Sequence, residues 1–385
     1  MSFLRSHIWP ALIAFLLISL LYALDIFPQG KERDGLTLCD SSRNLASYAN
    51  FDTVPEGILP LVRSLKNPNC VVLLGSSELS SPSDCIPYNF FNSRDGIQVR
   101  AFGHAYFQSF SMYCVLLSLR KFLEGSHICI VVSPGWFETT GTNSQAFVEF
   151  VRPEMLANIA RDQGVNDDYK DYISDYLIRV KADFSGFTPA MEYFQSRTNS
   201  LLFHELRGNV MLSQIPSYRY CDDTLTFKTE HASLDTFNWR SMTDTLIEKF
   251  NSGCSNAYQV EDSRFSSMTN GSKVFTPKPV KFIRNEVNQE LRDFRILLKM
   301  LHECGAKPTF VIQPLNPYVY SDLASFHSIM NELLYECDQY HFPCLNLFEA
   351  EQVNYTPGML NDGMHMGDVG WNRVNEFINL NMIHE

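Results

Sequence analysis

The chain has 385 residues and a mass of 44.1 kDa, a length that admits one large domain or two small ones. Its 45% hydrophobic and 19% charged residues are typical of a globular protein and exclude a disordered or fibrous one. The net charge of −12 argues against a nucleic-acid binder, which would carry a basic face. The ten cysteines include no C-x-x-C pair and no metal-finger spacing.

An apolar segment near the N-terminus sets the expected location of the protein. Residues 8–24 hold 17 positions without a charge, which is close to the length of a membrane-spanning helix. Arg5 precedes the segment, and we predict an uncleaved single-pass anchor over 1–30, with the rest of the chain outside the cytoplasm, in the periplasm or on the outer face. A cleaved signal peptide and a buried core helix are the alternatives. Residues 31–64 are predicted as a linker beside the membrane.

In the predicted location some of the cysteines could form disulfides, because an oxidising compartment allows them. Cys129 lies in an apolar run and is predicted as a buried thiol, and Cys114 lies on an apolar helix face. Sequence does not define the pairing of the others. The cysteines open to pairing are Cys39, Cys70, Cys85, Cys221, Cys254, Cys337 and Cys344.

From residue 65 onwards, short apolar runs alternate with stretches of helical periodicity. Continuous apolar strands separated by helices are typical of a parallel sheet covered on both faces, so we predict an α/β fold. The predicted strands are 71–74, 97–102, 127–132, 308–313 and 343–348. The predicted helices are 107–123, 287–304, 322–340 and 371–382, and Val287, Leu291, Phe294, Leu298 and Leu301 share the apolar face of the second.

The alternation breaks between residues 137 and 284. Helical stretches over 167–182 and 189–207 are interleaved there with polar loops. We predict a mostly helical insertion between the third and fourth strands of one domain that covers 65–385. A separate domain is the alternative.

A pair of serines follows the first predicted strand, in Gly75-Ser76-Ser77-Glu78. Ligands of open α/β sheets bind at the carboxyl ends of the strands. A serine on a tight strand-to-helix turn at that position suits a nucleophile, and the start of the next helix supplies free N–H groups. An ordinary helix cap is the alternative, since serine is a common cap residue.

An aspartate lies three residues before a histidine near the C-terminus, at Asp362 and His365. This spacing can place a carboxylate against the imidazole, which would fix its tautomer while it takes a proton from a serine. Taken alone, a surface Asp-Gly turn explains the pattern. Together with a serine after the first strand, the three residues are expected to meet at one edge of the sheet.

These residues resemble the SGNH hydrolase superfamily, and the chain is similar more closely to the DltD family, the membrane-anchored proteins of the D-alanylation pathway. The matching segments follow the family's order and cover most of residues 65–380. They are GSSE at 75–78, SPGWF at 133–137, QPLNP at 313–317 and DGMHMGDVGW at 362–371. The resemblance implies an SGNH-like, flavodoxin-like three-layer domain, with Ser77 as nucleophile and Asp362 and His365 completing a catalytic triad.

Two positions depart from the superfamily pattern. Ser76 stands where SGNH hydrolases have an aspartate, and SPGW replaces their third-block asparagine. The backbone N–H of Gly103 and the amide of Asn316 are candidates for the oxyanion hole, with turn chemistry as the alternative for Asn316. We predict that Trp136 walls the pocket and that Ser76 caps or buttresses the turn.

The resemblance implies acyl transfer. Ser77 would take a D-alanyl group as an ester, and a hydroxyl of an envelope polymer, teichoic acid or an equivalent, would receive it. The implied partners are a membrane O-acyltransferase of the pathway, the D-alanyl donor, the polymer acceptor and membrane lipid around the N-terminal helix; no nucleic acid, metal or organic cofactor is required. Ten cysteines fit an oxidising periplasm, where another glycan or lipid would replace teichoic acid.

Two alternative functions stay open. One is an SGNH-type esterase or O-acetyltransferase of envelope polysaccharide, which would use the same triad. The other is a non-catalytic protein that binds the D-alanylation machinery.

Overall fold

The structure is a computed structural model. It describes residues 36–38, 48–49, 58–81, 83–94, 97–138, 141–142, 144–180, 190, 193–194, 218–220, 234, 237–269, 276–281 and 284–382. The chain divides into two compact units, one of Met1–Leu38 with Arg152–Cys221 and one of Cys39–Val151 with Asp222–Glu385. The predicted insertion over 137–284 is thus shared between the two units.

A six-stranded parallel sheet forms the centre of the second unit. The described strands of the chain are β1 (Leu36–Leu38), β2 (Tyr48–Ala49), β3 (Cys70–Leu74), β4 (Gln98–Phe102), β5 (His127–Val132), β6 (Tyr218–Tyr220), β7 (Lys278–Pro279), β8 (Lys307–Ile312), β9 (Tyr320–Ser321) and β10 (Cys344–Asn346). The sheet runs β10-β8-β5-β3-β4-β2. Without the edge strand β2, this is the 2-1-3-4-5 order of flavodoxin-like doubly wound sheets. The predicted α/β fold with a parallel sheet is confirmed.

Helices connect the strands and cover the sheet. The described helices are α1 (Ile58–Lys66), α2 (Pro87–Phe90), α3 (Ser109–Ser118), α4 (Ser144–Phe150), α5 (Pro153–Arg161), α6 (Asp167–Val180), α7 (Trp239–Ser252), α8 (Asp262–Met268), α9 (Gln289–Glu303), α10 (His327–Gln339) and α11 (Asp368–Met382). Short 3₁₀ turns occur at Ser77–Ser80, Arg120–Phe122, Pro134–Glu138, Asn285–Val287, Leu323–Phe326 and Gln352–Asn354.

The sheet is buried on both faces, which explains why its strands read as continuous apolar runs. Every residue of β3 is buried. Leu73 of β3 belongs to a cluster with Trp371 of α11 on one face. On the other face, Phe310 of β8 packs edge-on against Phe294 of α9, with ring centroids 5.4 Å apart. Helices therefore cover both faces of the sheet, because successive side chains of a strand point to opposite faces.

Helix α9 shows how closely the pattern predicted the elements. The predicted helix over 287–304 is found as Gln289–Glu303. It begins after Asn288, whose side chain accepts a hydrogen bond from the backbone N–H of Leu291 at 3.1 Å, a standard N-cap. Val287 was predicted on the apolar face, but it lies before the cap and is 65% exposed.

The first unit contains a two-stranded parallel sheet of β1 and β6 and two described helices longer than one turn, α5 and α6. Helix α5 buries Met155, Leu156 and Ile159 along one side, the spacing of an amphipathic helix. The helix predicted over 167–182 is found as α6, whereas most of the stretch 189–207 lies outside the described residues.

Among the described residues, no helix is long and apolar enough to span a membrane. The anchor predicted over residues 8–24 lies outside the described residues.

The described cysteines carry free thiols. Cys129 and Cys114 are buried, and burial raises the pKa of Cys129 to about 12. The cysteines that the sequence left open to pairing form no disulfide among the described residues, and several of them lie in core elements rather than in loops. Cys70 is the first residue of β3, and Cys337 lies on α10 with 1% exposure. Cys39 and Cys221 lie outside the described residues.

Candidate active site

Ser77 lies just beyond the carboxyl end of β3, at the first residue of the turn Ser77–Ser80. The chain turns tightly here, and a Cβ on Gly75 would come within 2.6 Å of Glu78 Oε1. The same oxygen accepts a hydrogen bond from the backbone N–H of Ser76 at 2.6 Å. The buried Glu78 carboxyl group therefore closes the turn from inside and leaves Ser77 at its partly exposed end.

Asp362 and His365 are carried by a short loop before α11. Leu360 and Met366 pair across its base in an antiparallel bridge. The backbone N–H of Asn361 donates to the carbonyl of His365 at 3.0 Å, and the N–H of His365 donates to Asp362 Oδ1 at 2.9 Å. These bonds close the loop and fix the backbone under both side chains.

Ser77, His365 and Asp362 form a continuous chain of hydrogen bonds. Nδ1 of His365 lies 2.8 Å from Asp362 Oδ2, and Nε2 of His365 lies 3.1 Å from Ser77 Oγ. When the proton is on Nδ1, Nε2 is an acceptor for the serine hydroxyl. The structure thus brings together the three residues that the sequence singled out, across 288 positions of the chain between serine and histidine.

The electrostatics of the pair favour an ionised Asp362. The hydrogen bond that His365 donates to Asp362 raises the pKa of His365, burial lowers it, and the charge of Glu78 raises it further. Burial raises the pKa of Asp362, but the hydrogen bonds from His365 outweigh it and hold this pKa below its usual value. A carboxylate that stays ionised can stabilise an imidazolium formed beside it.

A cavity of about 560 Å³ opens beside Ser77 at the carboxyl edge of the sheet. Its walls come from the segments that follow β3, β4, β5 and β8. This is the switch point of a doubly wound sheet, where such proteins bind ligands. Trp136, which follows β5 and is 6% exposed, lines the cavity, as expected of a pocket wall.

Ser76 contacts the loop after β4, which forms one wall of the cavity. Its side chain is 4% exposed, and its Oγ accepts a hydrogen bond from the backbone N–H of Tyr106 at 2.9 Å. Tyr106 has a φ of 71°, in the left-handed region that non-glycine residues seldom adopt. The contact favours the predicted buttressing role of Ser76, since it holds the loop after β4 in this conformation.

Gly103 lies where the ends of β3 and β4 come closest. Its φ is +124°, and a Cβ there would lie 2.2 Å from the carbonyl oxygen of Gly75. Only glycine permits this approach. The role of Gly103 as an oxyanion donor stays a prediction.

Asn316 is fully buried, and its side chain makes hydrogen bonds to the loops around the site. Its Nδ2 donates to the carbonyl of Tyr258 at 3.0 Å and lies 3.4 Å from the carbonyl of Asp362. Its Oδ1 accepts from the N–H of Tyr318 at 2.8 Å. These contacts favour the alternative of turn chemistry over an oxyanion role.

The polar residues of the cavity that the sequence analysis gave no role include Glu78, Glu138 and Gln313. Burial raises the pKa of Glu78 to about 7. Glu138 follows β5, and Gln313 follows β8 directly. Their positions after predicted strands could have identified Glu138 and Gln313 as site residues, because the carboxyl ends of parallel strands meet at one edge of the sheet.

The strand order and the hydrogen-bonded side chains define a class: doubly wound α/β proteins with a serine, a histidine and an aspartate in contact at the switch point. The family model described as DltD protein matches residues 61–382. Protein DltD of Bacillus subtilis (strain 168) is 23% identical over 339 residues, which cover 84% of this chain and 85% of that relative. The chain belongs to the DltD family, and the resemblance seen in the sequence is confirmed.

Proposed function

We propose that the protein transfers D-alanyl groups to an envelope polymer through an ester on Ser77. The observation that carries this proposal is the chain of hydrogen bonds from Asp362 through His365 to Ser77. Membership of the DltD family supports D-alanine as the acyl group, since this family is involved in the D-alanylation of teichoic acids.

The first step forms the acyl-enzyme. Ser77 Oγ attacks the carbonyl carbon of the D-alanyl donor, and its proton passes to His365 Nε2, which lies 3.1 Å away, within reach for general base catalysis. The tetrahedral intermediate then expels the donor's carrier, which takes the proton from His365. The product is a D-alanyl ester of Ser77.

The second step passes the acyl group on. A hydroxyl of the acceptor gives its proton to His365 and attacks the ester carbonyl, and Ser77 leaves with that proton. Asp362 stays ionised in both steps, which its lowered pKa supports. Water in place of the acceptor would hydrolyse the ester, so acceptor binding separates a transferase from an esterase.

The partners follow from the family and from the apolar N-terminal segment. In this proposal a membrane O-acyltransferase of the pathway delivers the donor, and teichoic acid or an equivalent polymer is the acceptor. We propose that the apolar segment 8–24 serves as a membrane anchor that would hold the catalytic unit outside the cytoplasm, beside both partners.

The test compares two neighbouring serines in cells that lack the native protein. Ser77→Ala removes the nucleophile and is expected to abolish D-alanyl ester in the envelope. Ser76→Ala removes the hydrogen bond to Tyr106 but keeps the nucleophile, so it should lower stability by about 1 kcal/mol and retain most of the ester. Circular dichroism and membrane fractionation verify that both variants fold and localise normally.

A wild-type level of D-alanyl ester with Ser77→Ala would overturn the proposal and favour the non-catalytic alternative. If Ser77→Ala instead abolished release of acetate from envelope polysaccharide and left D-alanyl ester unchanged, the esterase alternative would replace it.

A further inference from the structure

We propose that the cavity beside Ser77 binds the ammonium group of an aminoacyl substrate, with Glu138 and Gln313 as the groups that recognise it. The inference rests on the proposed function and deepens it, because it names the chemistry that would select an aminoacyl group over an uncharged acyl group such as acetyl.

Among the described lining residues, the cavity wall carries acidic side chains and no basic ones. Within the described part of the chain, the lining residues include two carboxyl side chains, Glu78 and Glu138, and no Lys, Arg or His. A cationic group entering this space finds hydrogen-bond acceptors and a negative potential, whereas an anionic group is repelled. The walls are otherwise apolar in part, with Trp136 and Leu315 among them, and such surroundings strengthen a charge–charge contact relative to water.

A hydrogen bond to one carboxylate oxygen holds the Glu138 side chain in place. It ends the turn Pro134–Glu138, and its Oε1 accepts a hydrogen bond from the backbone N–H of Lys281 at 3.0 Å. A carboxylate has acceptor capacity on both oxygens, so Oε2 can receive an N–H from a ligand. The anchored oxygen lowers the entropy that the side chain would lose on binding.

Ser77, Glu138 and Tyr320 line the same cavity. Burial raises the pKa of Tyr320 to about 12, and the charges of Asp362 and Glu138 raise it as well. Since Ser77 and Glu138 line one cavity of about 560 Å³, a substrate whose carbonyl group lies at Ser77 can extend toward Glu138 within it.

Gln313 supplies an acceptor that the protein leaves unused. Its side chain is 3% exposed and lines the cavity, and its Oε1 has no hydrogen-bond partner within the described residues. Its backbone is fixed at the sheet edge, since its N–H donates to the carbonyl of Val132 at 3.0 Å. A buried acceptor without a donor is unfavourable, and an ammonium N–H would satisfy it.

Glu78 is the weaker counter-charge of the two carboxyl groups. It is 1% exposed, and its Oε1 already accepts from the Ser76 N–H. Burial raises its pKa to about 7, so burial weakens its negative charge near neutral pH. Glu138 is the better partner for a permanent positive charge.

The experiment uses two thioesters of the same small thiol, one D-alanyl and one propionyl, which differ only in the ammonium group. Acylation of Ser77 in the full-length protein is followed by intact-protein mass spectrometry, and the ratio of the two rates is the preference for the ammonium group. Glu138→Gln keeps an acceptor for the Lys281 N–H but removes the charge. We expect it to lower the preference about tenfold, which corresponds to about 1.4 kcal/mol.

A matched control removes the same charge elsewhere. Glu351 is exposed and lies outside the described cavity lining, so Glu351→Gln should leave the preference unchanged. Gln313→Leu provides the second arm. It removes a buried amide whose Oε1 is unpaired, so we expect the melting temperature to stay constant or rise while the preference falls severalfold, a combination that a purely structural role would not produce.

The outcomes are separable. If Glu138→Gln leaves the preference unchanged, or lowers it no more than Glu351→Gln does, the ammonium site is refuted while acylation of Ser77 still supports the proposed function. If neither thioester acylates the wild-type protein, the nucleophilic role of Ser77 fails, and the inference falls with it.

Discussion

Replacing Asp362 by asparagine tests whether the hydrogen-bonded chain does chemistry. Asp362 accepts from the backbone N–H groups of Met364 and His365, each at 2.9 Å, and from His365 Nδ1 at 2.8 Å. Asparagine can keep both backbone bonds through its single carbonyl oxygen. Its NH₂ group then faces Nδ1, so the imidazole must carry its proton on Nε2. A histidine in that tautomer cannot take the proton of Ser77.

The expected loss is large because the general base is removed rather than weakened. The same substitution in serine proteases costs about 10⁴-fold in kcat, which corresponds to about 5 kcal/mol in the barrier. We therefore expect acylation of Ser77 by a D-alanyl thioester, or its phosphonylation by a fluorophosphonate probe with loss of fluoride, to slow about 10³- to 10⁴-fold with Asp362→Asn. The rate is measured by stopped incubation and intact-protein mass spectrometry.

The matched control is Asp322→Asn. Asp322 is exposed, with a φ of 63°, a conformation that asparagine adopts readily. This variant should keep the wild-type rate, and equal melting temperatures would show that both variants are folded. A rate for Asp362→Asn within tenfold of the wild type would refute the assigned role of the carboxylate.

Three further predictions follow from the same structure. His365 must be neutral to act as a base, and its pKa is raised above the ordinary histidine value of 6.5 by the hydrogen bond to Asp362. The acylation rate should therefore rise with pH along a limb centred above that value, and a limb centred below it in a rate–pH profile would contradict the assignment. Burial and the neighbouring charge of Asp293 raise the pKa of Glu290 from the ordinary value of 4.5 to about 8, so its contribution to stability is complete below pH 4.5 and is lost as pH rises through about 8. Glu290→Gln keeps an acceptor for the N–H of Ser109 and should therefore melt above the wild type by a margin that grows from pH 5 to pH 9; a margin independent of pH, measured by differential scanning fluorimetry, would be the contrary result. Gly103→Ala forces a Cβ to within 2.2 Å of the Gly75 carbonyl and should destabilise the protein by about 2 kcal/mol or more in urea denaturation, whereas wild-type stability would mean that the two strand ends separate at little cost.

The sheet could be predicted from the sequence because parallel strands buried on both faces leave a direct record as apolar runs. Strand β5 was predicted at its observed bounds, His127–Val132. The contact of Ser77 with His365 could also be foreseen, since the carboxyl ends of parallel strands converge on one edge. The edge strand β2 was missed, because the pairing of Tyr48–Ala49 with β4 depends on tertiary structure rather than on any local pattern.

The cavity residues were harder to predict for a different reason. Glu138 and Gln313 gain their meaning from what surrounds them, namely an anchored carboxylate and an unpaired buried amide. Neither property is written in residue type or spacing. The cysteines illustrate the same limit. Cys70 lies in mixed sequence beside Asn67 and Pro68, yet it begins a fully buried strand.

The long separation of Ser77 and His365 along the chain has a consequence for biosynthesis. The serine turn follows the strand β3, whereas His365 lies 288 residues later in the sequence, on a loop closed next to the final helix. A chain that ends before His365 therefore lacks the proposed base. In the proposed mechanism the hydroxyl would be activated only once the loop before α11 is in place beside the buried Trp371, so completion of the fold and the onset of reactivity would be a single event. Such an order would prevent stray acylation of unfinished protein.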